Sequence, residues 1–159
     1  MCVDRFGLQW MVNIIGVKEP MDCEEMLERE DEAWRRFAET VRAVPAERRD
    51  VEGVVPGWTV HDLVWHVGYW AGFAGDVIER DRAGETDPEP AEPEEAEVLA
   101  TGRTMGWDEV VRRAEEHRDR VRAAFSSSPD PGDVAIQWFT EDTFDHYDEH
   151  TAEIRAFVG

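Results

Sequence analysis

Three of the five histidines in this sequence have the spacing of a metal site. His146 and His150 lie four residues apart, so on a helix their rings project from one face, a single turn apart. His66 lies on the flank of the apolar face of another predicted helix. Because neutral imidazole is a good ligand for divalent transition metals, we predict that His66, His146 and His150 bind one divalent ion (zinc, nickel, iron or manganese).

The competing interpretation is that these histidines are hydrogen-bonded core residues. A single inward-facing histidine is more often of that kind than a ligand. A pair on one helix face with a third histidine on a facing helix favours metal, since three buried imidazoles without partners would be costly. Three protein ligands also leave coordination positions open for water or substrate, which is typical of catalytic metal sites.

The remaining two histidines are assigned by helical phase. His61 lies nearly opposite the apolar face of its helix, so we predict that it is exposed in the first turn. His117 falls within an apolar stripe, and three roles fit it: a fourth ligand, a proton-transfer residue lining the pocket, or a satisfied core histidine. We favour a pocket-edge or hydrogen-bonding role for His117, and the sequence assigns no catalytic residue.

Two aspartates each precede a predicted ligand by one helical turn. Carboxylates in such positions often orient metal-bound imidazoles. For Asp62 the pattern favours a helix cap, because Thr59 lies three residues before it in a capping-box arrangement. For Asp142 two roles remain open, an orienting carboxylate and a solvated helix start.

Four segments with helical apolar periodicity must position these residues, and no segment shows strand alternation. Pro45 ends the first helix, and the turn of residues 56–58 precedes the second. The proline-containing segment 126–132 separates the third helix from the fourth. The four helices cover roughly residues 22–44, 59–80, 107–125 and 139–158. They predict an all-α four-helix bundle, in which each apolar stripe is buried against the others.

Between the second and third helices, residues 84–97 contain seven acidic residues, three prolines and no basic residue. This composition predicts a solvated linker, and its length indicates a crossover connection. Met21 opens the first helical segment, so we expect residues 1–20 to be an N-terminal extension and residues 21–159 to form the domain.

The bulk composition limits the classes of partner. With 42% hydrophobic residues, the 159-residue chain can form one domain with a single core. A formal net charge of −20 repels phosphate backbones and anionic lipids, so we expect neither nucleic acid nor membrane partners. Two isolated thiols, Cys2 and Cys23, and the lack of a signal-peptide pattern favour the cytoplasm. Exposed Trp and Phe side chains would favour a homodimer.

Two stretches resemble the DinB-like superfamily, and particularly the mycothiol-dependent maleylpyruvate isomerase N-terminal domain. They are VPGWTVHDLVWHVGYW at the start of the second helix and TFDHYDEHTAEIRAFV in the last. The resemblance implies a bundle with a long crossover and a divalent metal on His66, His146 and His150. It also implies a low-molecular-weight thiol cofactor such as mycothiol.

The sequence departs from the isomerases in two respects. Those enzymes carry a further C-terminal domain, so we do not expect maleylpyruvate isomerisation itself here. The HxxxH pair is also more similar to the generic DinB-like and colibactin self-resistance branches. We therefore expect a metal-dependent thiol transferase or isomerase acting on an electrophilic small molecule or toxin. The alternatives are a water-using hydrolase that confers resistance and a non-catalytic metal-binding stress protein.

Overall fold

Six α-helices and one short 3₁₀-helix make up the regular structure of residues 21–159, the part of the chain that the computed structural model describes. The helices are α1 (Cys23–Arg42), α2 (Val60–Arg82), α3 (Glu95–Gly102), α4 (Trp107–Ser126), α5 (Asp133–Asp142) and α6 (Phe144–Val158), and the 3₁₀-helix is Ala46–Arg48. These described residues contain no strand, only an isolated bridge between Val55 and Trp58. The predicted all-α class is confirmed.

Helices α1 and α2 begin at capping boxes that the sequence encodes. At α1, the Asp22 side chain accepts a hydrogen bond from the backbone of Glu25, and the Glu25 side chain accepts one from the backbone of Asp22. Thr59 and Asp62 form the same reciprocal pair at α2. Each box satisfies two amides that helix geometry leaves without partners. The starts of α1 and α2 are therefore fixed locally.

Helix α2 is the central element of the bundle and packs mainly against α4 and α5, whereas α1 packs against α6. Gly68 allows α2 and α4 to approach closely, because a Cβ atom there would lie 2.7 Å from the Cα atom of Ala114. The largest fully buried side chains come from five different helices and include Trp138, Tyr147 and Phe37. The apolar stripes predicted from periodicity thus meet in one core.

The fourth predicted helix, at about residues 139–158, is in fact two helices, α5 and α6. Thr143 separates them with φ −119° and ψ −100°, a backbone conformation outside the helical region. Its buried hydroxyl donates a hydrogen bond to the carbonyl of Phe139. The prediction of a single helix was wrong because apolar periodicity continues across one non-helical residue. Together α5 and α6 take the place of the fourth helix of the bundle, beside α1, α2 and α4.

The acidic crossover also differs from its prediction, because its last residues belong to α3. The indole Nε1 of Trp65 donates to the carbonyl of Val98 at 2.8 Å, which fixes α3 against α2. The indole of Trp138 donates to Glu89 at 2.8 Å and attaches the irregular part. Glu and Ala favour helix, so the acidic composition that indicated a linker also permits a short helix once tertiary contacts support it.

A buried ionic cluster joins α1 to α4. Glu30 is fully buried, and the guanidinium of Arg118 binds it through two nitrogens at 2.8 and 3.1 Å. Arg122 donates to the same carboxylate. Burial raises the pKa of the Tyr147 hydroxyl well above its ordinary value, and the charge of Glu30 adds to this effect. The cluster compensates a buried carboxylate that would otherwise be very costly.

The predicted N-terminal extension, residues 1–20, lies outside the described residues. Among the helices of residues 21–159, none is long and apolar enough to cross a membrane.

Candidate metal centre

The structure brings His66, His146 and His150 together between α2 and α6. One ring nitrogen of each lies within 4.8 Å of the corresponding nitrogen of the other two. The Nε2 atoms of His66 and His146 are 2.9 Å apart. The ring of His150 lies 5.2 Å from that of His66 and 4.5 Å from that of His146, centroid to centroid. Three residues from distant parts of the sequence thus converge on one point.

Local structure explains the convergence. His146 and His150 are separated by one helical turn of α6, so their rings lie on the same side of that helix. His66 lies in the second turn of α2, a helix whose start is fixed by its capping box. His150 is buried, and His66 and His146 are half-buried, so solvent reaches the cluster at these two residues.

Two carboxylates hold the outer nitrogens of the cluster. The Nδ1 atom of His66 lies 2.6 Å from a carboxylate oxygen of Glu95, and the Nδ1 atom of His150 lies 2.6 Å from one of Glu153. A carboxylate can only accept, so each Nδ1 carries a proton and donates it. In the neutral imidazole this leaves the lone pair on Nε2, on the side where the three rings meet.

Burial lowers the pKa of His66 below its ordinary value, although Glu95 acts in the opposite direction. A lowered pKa keeps this ring neutral at pH 7, which is the form that binds metals. The Nε2 atom of His150 is buried and has no hydrogen-bond partner among residues 21–159. A buried lone pair that faces two further imidazole nitrogens fits a divalent cation. The three histidines therefore have the protonation state and the geometry that a divalent metal ion requires.

Aromatic side chains surround His66. The ring of Trp58 lies 4.9 Å from the His66 ring in an edge-to-face arrangement. Trp70 lies 6.5 Å away, and its indole nitrogen donates to the second oxygen of Glu95 at 3.3 Å. Glu95 therefore connects His66 to Trp70. These contacts restrict the rotation of the His66 ring.

Asp62 and Asp142, which each precede a clustered histidine by one helical turn, differ in their surroundings. Asp62 caps α2 and binds the guanidinium of Arg103 at 2.9 and 3.0 Å, so its predicted capping role is confirmed. Asp142 is the last residue of α5 and is buried, which excludes a solvated helix start. Its alternative role beside His146 stays a prediction.

Sequence reasoning missed Glu95 and Glu153. Glu153 could have been found, because it lies three residues after His150 on the same helical face. Glu95 could not, since it reaches His66 from the crossover.

The prediction that His61 is exposed was wrong. Its side chain is only 8% exposed, and its Nε2 atom lies 3.0 Å from the carbonyl of Met105. Helical phase does identify the face of α2 that turns away from the bundle core. The segment before α4 covers that face, and no periodicity could reveal this.

His117 takes the hydrogen-bonding role that the sequence favoured. Its Nδ1 atom lies 2.9 Å from the carbonyl of Gly68, and its ring lies 6.0 Å from that of Trp65. It is not part of the three-histidine cluster of the described residues. The possibility of a fourth ligand therefore has no support in the geometry.

The architecture and the site define a class of protein: a helical bundle with a long crossover and an inward-facing histidine cluster between its second and last helices. Residues 31–146 match the family described as the mycothiol maleylpyruvate isomerase N-terminal domain. The chain belongs to this family, whose fold is DinB-like. The match ends at His146, so His150 lies beyond it.

Two solved structures share the fold. An uncharacterised protein from Escherichia coli UTI89 superposes with a TM-score of 0.64 at 15% identity, covering 86% of this chain and 92% of that one. A protein from Streptococcus pneumoniae gives a TM-score of 0.63 at 10% identity, with 88% and 92% covered. At these identities the likeness shows the fold alone. No protein of curated function matches the chain.

Proposed function

We propose that this protein is a metal-dependent enzyme that acts on an electrophilic small molecule or toxin with the help of a low-molecular-weight thiol of the mycothiol type. It would either join the thiol to that substrate or use the thiol to isomerise the substrate. His66, His146 and His150 would hold one divalent ion (zinc, nickel, iron or manganese). The observation that carries the proposal is the convergence of three ring nitrogens within 4.8 Å, with the buried Nε2 of His150 lacking a hydrogen-bond partner among the described residues.

The class of cofactor and substrate rests on the family, whose description names mycothiol and an isomerase. A bound divalent ion lowers the pKa of a coordinated thiol or water and so supplies a nucleophile at neutral pH. Three histidine ligands leave positions open for such a group.

The residues of this chain have defined parts in that chemistry. Glu95 and Glu153 accept hydrogen bonds from the Nδ1–H groups of His66 and His150 and hold each ring in one tautomer and one orientation. Trp58 and Trp70 flank His66 and exclude water from that side. The deep position of His150 leaves access from the side of the two half-buried histidines.

The first experiment is elemental analysis of protein purified without a histidine tag. We expect about one divalent ion per chain and its loss in His146→Ala, as for a site with three protein ligands. His61→Gln is the matched control, because His61 is a histidine of α2 outside the cluster. A normally folded wild-type protein that binds no added zinc, nickel, iron or manganese would refute the metal site.

The second experiment tests the reaction. Metal-loaded protein is mixed with 1-chloro-2,4-dinitrobenzene and mycothiol, and formation of the thioether is followed by absorbance. We expect turnover that requires both the thiol and His146. Consumption of the electrophile without thiol would identify the hydrolase, and metal binding without turnover of any electrophile tested would identify the non-catalytic protein.

A further inference from the structure

A cavity of about 130 Å³ lies between α1 and α4, apart from the histidine cluster. Its lining is largely apolar and aromatic, with Trp34 and Phe37 from α1 and Trp107 from α4. Val64 of α2 also lines it, and none of the three clustered histidines does. An apolar cavity of about 150 Å³ is known to hold a benzene molecule, so this one matches a ligand with a single ring.

One half-buried cation lines this cavity without an acidic partner among residues 21–159. Arg49 is half-buried, and its guanidinium carbon lies 4.4 Å from the ring centre of Trp107. Its Nε atom is buried and has no hydrogen-bond partner among residues 21–159. The other half-buried arginines of residues 21–159 each donate to a carboxylate or a carbonyl; they are Arg36, Arg48, Arg80, Arg118 and Arg122.

The acidic composition of the chain makes an arginine without an acidic partner unusual. The chain has 37 acidic residues and only 17 basic ones, so carboxylates are available to pair with most arginines. The other charged side chains at the cavity, Arg42 and Glu115, are both exposed, so solvent screens their charges. Arg49 is therefore the charged lining residue that is least exposed to solvent. A guanidinium offers Nε and Nη donors in a fork that fits a carboxylate.

We propose that this cavity binds a small aromatic carboxylate, with its single ring among Trp34, Phe37 and Trp107 and its carboxylate on Arg49. Aromatic walls supply the apolar contact, and the half-buried guanidinium of Arg49 supplies the charge that selects an anion. The site is separate from the histidine cluster, and the proposal does not depend on the proposed function.

The test uses benzoate as the probe and the full chain treated with a chelator, so that no metal offers a second site. Binding is followed by ¹H–¹⁵N NMR at the Nε–H group of Arg49 and the indole N–H of Trp107. We expect saturable shifts at both groups. Affinity should fall about tenfold or more in Arg49→Gln, the scale of one lost charge-assisted hydrogen bond. Acetate has the carboxylate without the ring, and benzyl alcohol has the ring without the carboxylate, so both should bind more weakly than benzoate.

Arg48→Gln is the matched control. Arg48 also stacks on an aromatic ring, with its guanidinium carbon 4.4 Å from the ring centre of Phe157, but it donates to a carbonyl and does not line the cavity. It should leave benzoate affinity unchanged, as should His146→Ala. Ala38→Leu fills the cavity without touching Arg49 and should abolish binding. Equal affinity in wild type, Arg49→Gln and Ala38→Leu, or no saturable shift in wild type, would overturn the proposal.

Discussion

The position of one proton on each imidazole decides what the histidine cluster can do. A neutral histidine that donates through Nδ1 can bind a cation only through Nε2. In His66 and His150 that choice is made by Glu95 and Glu153, each 2.6 Å from the ring. The two glutamates come from different parts of the chain, one from the crossover and one from α6.

Replacing either glutamate should therefore weaken metal binding while the fold remains. We expect Glu95→Gln and Glu153→Gln each to reduce metal affinity about 10–100-fold, the usual cost of losing such a partner. Competition with a chromophoric chelator measures this.

Glu94→Gln is the control for Glu95→Gln, because Glu94 is exposed and its side chain makes no capping hydrogen bond at α3. An unchanged affinity in both glutamate variants would show that the carboxylates do not orient the ligands.

Asp62 offers a prediction that depends on pH. Burial raises the pKa of Asp62, but the hydrogen bonds from Arg103 and Thr59 outweigh burial and leave the pKa below its ordinary value of 3.8. A carboxyl whose pKa is lower in the folded than in the unfolded protein stabilises the fold above the unfolded value. That contribution is lost as the pH falls through the lower, folded pKa.

We expect Asp62→Asn to reduce the free energy of unfolding by about 1–3 kcal/mol at pH 7, since a buried charged hydrogen-bond partner is removed. Urea unfolding monitored by circular dichroism should show that the difference from wild type shrinks below about pH 4. Asp50→Asn, at an exposed neighbouring position, should have little effect at any pH. A difference that is constant down to pH 3 would contradict the assignment.

At the scale of elements, α2 approaches α4 through three glycines, Gly68, Gly72 and Gly75. They are not equivalent. A Cβ atom at Gly68 would lie 2.7 Å from the backbone of Ala114, whereas one at Gly75 would lie 3.5 Å from the backbone of Val121, an ordinary contact distance. The two helices are thus closest near Gly68.

Two alanine substitutions on this helix should have opposite effects. Gly75→Ala should stabilise the protein by about 0.5–1 kcal/mol, because alanine favours helix and the space exists. Gly68→Ala should destabilise it by about 1–3 kcal/mol, because the clash is with backbone and the helices must separate. Thermal or urea unfolding of the two variants checks both signs. Equal effects of the two substitutions would show that α2 and α4 are not packed as described.

The elements differ in how far the sequence predicts them. Helices α1, α2 and α4 follow from apolar periodicity, capping residues and prolines, all of which act locally. Helix α3 depends on a tertiary contact, the hydrogen bond from the Trp65 indole, which has no local signal. At Thr143 the hydroxyl donates to the carbonyl four residues earlier, but threonines make the same contact inside continuous helices, so it does not by itself predict a break. The burial of His61 likewise depends on a segment more than forty residues away.

At the scale of the whole molecule, the net charge of −20 sets the long-range electrostatics. Exposed ion pairs such as Arg112–Glu116 contribute little individually. Like-charge repulsion over the whole surface opposes the compact state. The homodimer was predicted from exposed Trp and Phe side chains. Within residues 21–159 the exposed large apolar side chains are Met21, Val51 and Val158, so this part of the chain gives the homodimer prediction no support.

Salt should therefore stabilise this protein. We expect the Tm of the metal-free chain to rise as NaCl increases from about 0.01 M to about 1 M, a range over which the screening length falls from about 30 to about 3 Å. Scanning calorimetry measures this. KCl should act in the same way, since screening depends on ionic strength. A Tm that falls in both salts would show that local ion pairs outweigh the net repulsion.

The candidate site was predictable to the extent that its residues repeat a helical spacing. His146 and His150 follow from a four-residue interval, and His66 from its place on the α2 face. Glu153 carried the same kind of signal. Glu95 did not, because its approach to His66 spans 29 residues and depends on how the crossover returns to α2.

The two attachments of the crossover have a consequence for the evolution of this fold. The indole of Trp138 binds Glu89 and that of Trp65 binds Val98, whereas residues 83–87 are exposed and contact the bundle at its surface, through Glu85 and Arg80. Doubling the length of such a loop costs only about 0.6 kcal/mol in closure entropy. Relatives can therefore gain insertions at this point without disturbing the histidines. Such insertions would follow the C-terminal end of α2, about 24 Å along that helix from His66.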